Sequence, residues 1–152
     1  MYFCARTMAL LVKTSQLPKA GLGLFTDKPI KEGTKIIEYK GEIIDWKEYD
    51  KRVASCEDGY LFYISRKRCI DAYPTPQYKA RYANDAEGLT RVKGLKNNCM
   101  YDVFEDKCYI VAIRDIDAGE EIFVDYSKDY WDVVKYNIKH GFDKPITGLK
   151  IV

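Results

Sequence analysis

The apolar stretches of this chain are short, and turn residues interrupt them at close intervals. Met8-Ala-Leu-Leu-Val12, Lys35-Ile-Ile-Glu-Tyr39 and Tyr60-Leu-Phe-Tyr-Ile64 are of this kind. Segments so brief, bounded by turn residues, read as strands, most clearly where β-branched and aromatic residues dominate. Glu42-Ile-Ile44, Met100 to Phe104, Cys108 to Ile113 and Glu121-Ile-Phe-Val-Asp-Tyr126 read the same way, while Gly21-Leu-Gly-Leu-Phe25 follows a Pro18 loop and runs into Thr26. Cys69-Ile-Asp-Ala72 is placed to pair with the strand at 60–64. Turns fall at Lys31-Glu-Gly33, Lys40-Gly41, Asp58-Gly59, Glu105-Asp-Lys107 and Asp117-Ala-Gly119. The pattern predicts one β-rich domain of many short strands.

One helix is well signalled. Asp45 can cap it, and Glu48 stands three residues on, as in a capping box. Trp46, Tyr49 and Val53 then share a helical face. A second helix is expected from Lys128 to His140, where Tyr130, Val133, Val134 and Asn137 give a partial stripe. The stretch from Pro74 to about Asn97 shows no period, and so long an irregular segment inside a compact domain is usually functional or disordered.

At 152 residues the chain can build one real core. Its 25 basic and 23 acidic residues nearly cancel, which argues against a dedicated nucleic-acid binder. No apolar run approaches the roughly 20 residues of a membrane span. The run at 8–12, behind Arg6, is too short for a signal-peptide core. Cysteines at 4, 56, 69, 99 and 108 form no C-x-x-C pair, which argues against a disulfide framework or a zinc site. They read as mostly small buried hydrophobes of an intracellular, reducing compartment.

Six segments, in order, resemble the SET-domain family of lysine methyltransferases. Lys19-Ala-Gly-Leu-Gly-Leu-Phe25 resembles its glycine-rich opening, Glu38-Tyr-Lys-Gly-Glu-Ile-Ile44 its E-Y-x-G-E-x-I strand, and Tyr60-Leu-Phe62 its Y-L-F strand. Arg81-Tyr-Ala-Asn84 resembles the R-F-x-N that begins a long knot-forming motif, and Asn98-Cys99 resembles its end. Gly119-Glu-Glu-Ile-Phe-Val-Asp-Tyr126 resembles the G-E-E-L-x-x-D-Y strand. The resemblance runs from Leu11 to about Trp131. It implies a mostly β SET-domain fold, with several small sheets around a pseudoknot-like loop and few short helices. One domain would fill 1–152, with a core at about 10–131 and a closing segment at 132–152.

The resemblance also implies a reaction, methyl transfer from S-adenosylmethionine to a lysine of a protein or peptide, histone or not. By resemblance Gly21, Leu22, Gly23, Tyr60, Arg81, Tyr82, Asn84 and Asp85 hold that donor; the glycines let backbone approach it closely. A free lysine titrates near 10.4, so at pH 7 only about one in 2500 is neutral, a handicap of about 4.6 kcal/mol. A narrow apolar channel lowers that value by desolvation, and aromatic walls favour the cation at its mouth. By resemblance Phe62, Val124 and Tyr130 line the channel, with Tyr39 and Tyr126 as catalytic residues. The Tyr126 hydroxyl would align amine and methyl for in-line displacement. Glu120 and Glu121 read as structural or solvated, the peptide is expected to pair as an added strand, and no metal is expected.

Two positions depart from the family. Asp85 stands where the long motif carries histidine, and an insertion precedes Asn97-Asn-Cys99. A carboxylate there keeps main-chain contact to adenine but loses the histidine's packing. Val124 stands where Phe or Tyr often limits the number of methyls, which predicts di- or trimethylation. The tail from Ser127 has no cysteine, so closure would use Tyr130, Trp131 or Tyr136. Two other readings remain. One is a catalytically weak SET-like peptide-binding module, supported by Asp85 and opposed by Tyr126. The other is an unrelated domain binding nucleic acid through Arg66-Lys-Arg68 and Arg91-Val-Lys93, opposed by the near-neutral charge. The oligomeric state stays open.

Overall fold

The structure, a computed structural model, describes residues 8–54 and 60–141. Its strands are β1 (Leu10–Thr14), β2 (Leu22–Thr26), β3 (Lys35–Glu38), β4 (Glu42–Ile44), β5 (Leu61–Ser65), β6 (Arg68–Asp71), β7 (Cys99–Phe104), β8 (Lys107–Ala112) and β9 (Glu121–Ile122). They form three small antiparallel sheets, ordered β1-β2-β9, β3-β8-β7 and β4-β6-β5. The central strands β2, β6 and β8 are largely buried, and Leu24 of β2 and Ile110 of β8 are wholly inaccessible. The β7–β8 hairpin turns through Glu105 and Asp106 at φ 49° and 63°. Two successive positive φ values match the strand twist in a tight hairpin. Gly41 lies against the main chain of Asp71 and Ala72, where any side chain would collide.

The first helix, α1 (Trp46–Ala54), starts as expected, with Asp45 Oδ1 accepting from Glu48 N at 2.9 Å. Glu48 turns instead to Arg52 Nε, 3.0 Å away. Arg52 also reaches Glu42 at 2.9 Å and Asp71 at 2.5 Å, tying α1 to β4 and β6. No residue of α1 is fully buried; Trp46 and Val53 are exposed, and Tyr49 packs on the cluster of Ile44, Leu61 and Cys69. The second helix, α2 (Lys128–Lys139), is capped by Ser127 Oγ and buries Tyr130 and Val134, leaving Val133 exposed. No described helix is long and apolar enough to cross a membrane.

The strand expected at 121–126 is shorter than its sequence pattern. Only Glu121 and Ile122 join a ladder; Phe123 and Val124 leave it to make parallel bridges with Asn84 and Cys99. Tertiary threading overrides strand propensity here. Cys69, Cys99 and Cys108 are free and buried, and burial pushes the Cys99 and Cys108 thiols up to about 12. Arg6, Cys4, Cys56, the Asp58-Gly59 turn and residues 142–152 lie outside the described residues.

Candidate active site

The segment after β9 is held between the two ends of the long loop. Val124 N donates to Asn84 O at 2.8 Å, and Cys99 N donates to Phe123 O at 2.9 Å. Asn98, almost wholly buried, donates through Nδ2 to Glu121 O at 2.8 Å and accepts from Phe123 N at 2.9 Å. Every polar atom of that side chain therefore serves the crossing. Glu121 is also buried, and its carboxylate accepts from Ser15 Oγ at 2.6 Å and Gln16 N at 2.8 Å. This crossing delivers Tyr126 to the interior.

Tyr126 is 4% exposed, and its hydroxyl donates to Ala83 O at 2.5 Å. Its ring meets Tyr130 edge-on at 5.0 Å and stacks with Trp131 at 5.9 Å. A second aromatic group lies in the same core cluster: Tyr39 is 5.7 Å from Phe62 and 6.0 Å from Tyr101, and Phe62 is 5.3 Å from Tyr101. The Tyr39 hydroxyl donates to Tyr60 O at 3.1 Å. Val124 is fully buried in this core. Burial raises the Tyr126 and Tyr101 phenols well above their ordinary value, and neighbouring phenols add to the shift. Both stay neutral, so they act as dipoles and not as bases. Tyr39 moves the same way for the same leading cause.

Tyr101 was not picked out in the sequence. The residue is half-buried, but its hydroxyl oxygen is buried and has no hydrogen-bond partner among the described residues. The available signal was alternation along β7, which puts Tyr101 on the inward face with Cys99.

The residues assigned to the donor fall into two touching groups. Asn84 Nδ2 donates to Leu22 O at 2.9 Å, joining the glycine-rich segment to the loop. The Arg81 guanidinium lies over the Tyr60 ring at 4.0 Å and 5.3 Å from the Tyr82 ring, and its Nη1 donates to Ala72 O at 2.7 Å. Gly21 sits at φ 72° with open space around it. Gly23 is glycine for another reason than donor approach alone, because a side chain there would strike the Glu121 carboxylate. A polar cleft of about 360 Å³ borders Asp85, Gly88 and Trp131 and shares only Asp85 with the donor set. Of the closing candidates, Tyr130 is buried and Trp131 half-buried, whereas Tyr136 is exposed and stacks on His140.

Residues 21–127 match the family described as SET domain. The chain belongs to the SET-domain family. It is 31% identical over 139 residues to histone-lysine N-methyltransferase EZH2 of Chaetomium thermophilum, across 84% of this chain and 9% of that protein. It is 34% identical over 120 residues to human histone-lysine N-methyltransferase 2D, across 74% of this chain and 2% of the relative. The chain spans a small fraction of the length of these curated relatives. Its fold superposes on a chain from the crystal structure of an active polycomb repressive complex 2 in the basal state, with TM-score 0.63, 33% identity, and coverage of 79% of this chain and 15% of that one. The three small sheets and the threaded 121–126 segment are this SET domain's version of the family fold.

Proposed function

We propose that this SET domain is a protein-lysine N-methyltransferase that takes its methyl group from S-adenosylmethionine. The observation that carries the reading is the unsatisfied, buried Tyr101 hydroxyl beside Tyr39, Phe62 and the Tyr126–Tyr130 pair. A buried hydroxyl without a partner costs about 1–3 kcal/mol, a cost retained where a ligand supplies the missing bond. An aliphatic amine on an apolar stem suits that place, since the walls desolvate it and the phenol can bond it.

The donor's requirements fit the residues present. A zwitterion with an adenosine tail needs accessible main chain, which the open left-handed Gly21 gives, and amide and aromatic surfaces, which Asn84, Tyr60 and Tyr82 give. When bound, S-adenosylmethionine supplies an electrophilic methyl and a positive charge. Leu22 and Gly23 extend the same edge of backbone, Arg81 anchors Tyr60 and Tyr82, and Asp85 braces the loop. Phe62, Val124 and Tyr130 exclude water, which favours the neutral lysine amine. Tyr126 and Tyr39, held neutral, orient that amine; the proton leaves to solvent before the lysine is enclosed. Val124 leaves more room than an aromatic residue, so di- and trimethyl products are expected; exhaustive reaction ending at monomethyl, by mass spectrometry, would reject this.

The relatives are named as histone-lysine methyltransferases, so a basic histone-like tail is the proposed substrate, met inside the cell. The peptide-binding alternative loses its main support, because the Asp85 carboxylate is engaged within the fold. The test is transfer of labelled methyl to histones and cell lysate by wild type and Tyr126→Phe. Signal that collapses in the variant supports the reading. Equal labelling by both removes Tyr126 from the mechanism, and no labelling by wild type removes the activity.

A further inference from the structure

Asp85 gathers four N–H donors from separate parts of the chain. Oδ1 accepts from Glu87 N and Asn97 Nδ2, each at 2.8 Å. Oδ2 accepts from Tyr126 N at 3.0 Å and Trp131 Nε1 at 2.7 Å. An ionised carboxylate offers only acceptors, about four lone-pair sites, so all four donors are served at once. The indole of Trp131 is seated as firmly. It lies against Gly88, where any side chain would collide with its ring; it meets Tyr130 edge-on at 4.7 Å and stacks with Tyr126 at 15°.

Both ends of Tyr126 are therefore referenced to one short segment: the main-chain N–H to Asp85 and the hydroxyl to Ala83. Trp131 brings the first turn of α2 to the same carboxylate. We propose that Asp85 and Trp131 form a clasp that positions Tyr126, so that turnover depends on α2 being docked on the 85–88 segment. The proposal rests on Tyr126 acting at the reacting atoms, as read above. Asp85 and Trp131 are positioning residues in it, and the aspartate replaces the family's histidine because it can accept from the indole and from Tyr126 together.

Trp131→Phe keeps one aromatic ring against Tyr126 and Tyr130 and removes the N–H together with the rest of the indole. Its kcat should fall about tenfold, as a small misplacement of an aligning group does, with peptide KM within about twofold and a cooperative melt lowered by a few degrees at most, from lost packing. Asp85→Asn turns an NH2 toward two donors whichever way it faces, so it should be at least as slow. The double variant should be no slower than Asp85→Asn alone, since both changes break one contact. A second readout needs no activity: the chain has two tryptophans, so Trp46→Phe leaves Trp131 as the sole indole. In that background Gly88→Ala should shift the emission to the red as the ring leaves its seat. Wild-type kcat in Trp131→Phe, or independent losses that multiply in the double variant, overturns the clasp. So does unshifted emission in Gly88→Ala. Should Asp85→Asn fail to fold, Trp131→Phe and Gly88→Ala decide the matter. A wild-type chain with no transfer sinks the functional reading and the proposal's catalytic half with it; failure of the clasp alone is told apart by intact wild-type transfer.

Discussion

Near the surface Trp46 stacks on Tyr49 at 5.4 Å and both rings meet Tyr63 edge-on, at 5.5 and 6.2 Å, whereas Tyr39, Phe62, Tyr101, Tyr126 and Tyr130 meet in the interior. The outer group joins α1 to the neighbouring β5 through ring contacts, alongside a main-chain bond from Trp46 N to Arg66 O at 3.0 Å. The inner group draws on four distant stretches of chain, at 39, 62, 101 and 126–130, and the crossing at Asn84 and Cys99 fixes where Tyr126 stands. The fate of the phenol separates the two. Inside, Tyr39 and Tyr126 donate to carbonyls and Tyr101 has no acceptor among the described residues, so the interior is polar at chosen points. Aromatic content alone marks neither place as a site; an aromatic wall with an unfilled hydrogen bond does.

Substitutions should separate the two regions. The largest effect is expected at Asn98, 1% exposed, whose side chain bonds the main chain of Glu121 and Phe123. Asn98→Ala strands a buried N–H and a buried carbonyl and should cost about 4 kcal/mol in urea unfolding. A loss under about 1 kcal/mol would show that the knot does not depend on its polar bonds. Gly23→Ala comes next. The added methyl meets a Glu121 carboxylate that Ser15 and Gln16 hold in place, so it cannot swing aside, and about 2 kcal/mol should be lost. Gly21→Ala, with open space but φ 72°, should cost less, about 1 kcal/mol, from backbone strain alone.

Tyr101→Phe should raise stability and lower activity together. Removing an unpartnered hydroxyl relieves about 1 kcal/mol, or roughly 2–4 °C in melting temperature for a domain of this size. Methyl transfer should fall as well, since the proposed reading gives this phenol to the substrate amine. Stability and activity falling together would mean that the hydroxyl is bonded within the fold, and Tyr101 would leave the site.

The strands were legible because their runs are short and their turns carry Gly and Asp; Lys35–Glu38 and Glu42–Ile44 formed where β-rich residues flank Lys40-Gly41. The Asp45 cap was legible because capping is local. The 121–126 strand was overextended, since its last residues answer to Asn84 and Cys99, far away in sequence. Tyr126 was singled out by its motif, not by periodicity. Tyr101 was missed because nothing in a local window tells a phenol with a partner from one without. The role of Asp85 was hidden for the same reason, since Trp131 lies 46 residues away along the chain.

The smallest effect is expected in the outer group. Trp46 is 41% exposed and touches Tyr49 and Tyr63 through ring faces and edges only. Removing it forfeits a half-solvated stack, and aromatic pairs contribute about 0.5–1.5 kcal/mol beyond burial at best. Trp46→Ala should therefore cost about 0.5–1 kcal/mol and leave methyl transfer unchanged, because Arg52 still ties α1 to Glu42 and Asp71 without the indole. Thermal melting and the transfer assay, run on the same preparation, check both halves. A loss of transfer in Trp46→Ala, with the fold intact, would erase the division between a packing cluster and a working one and move the outer aromatics into the site.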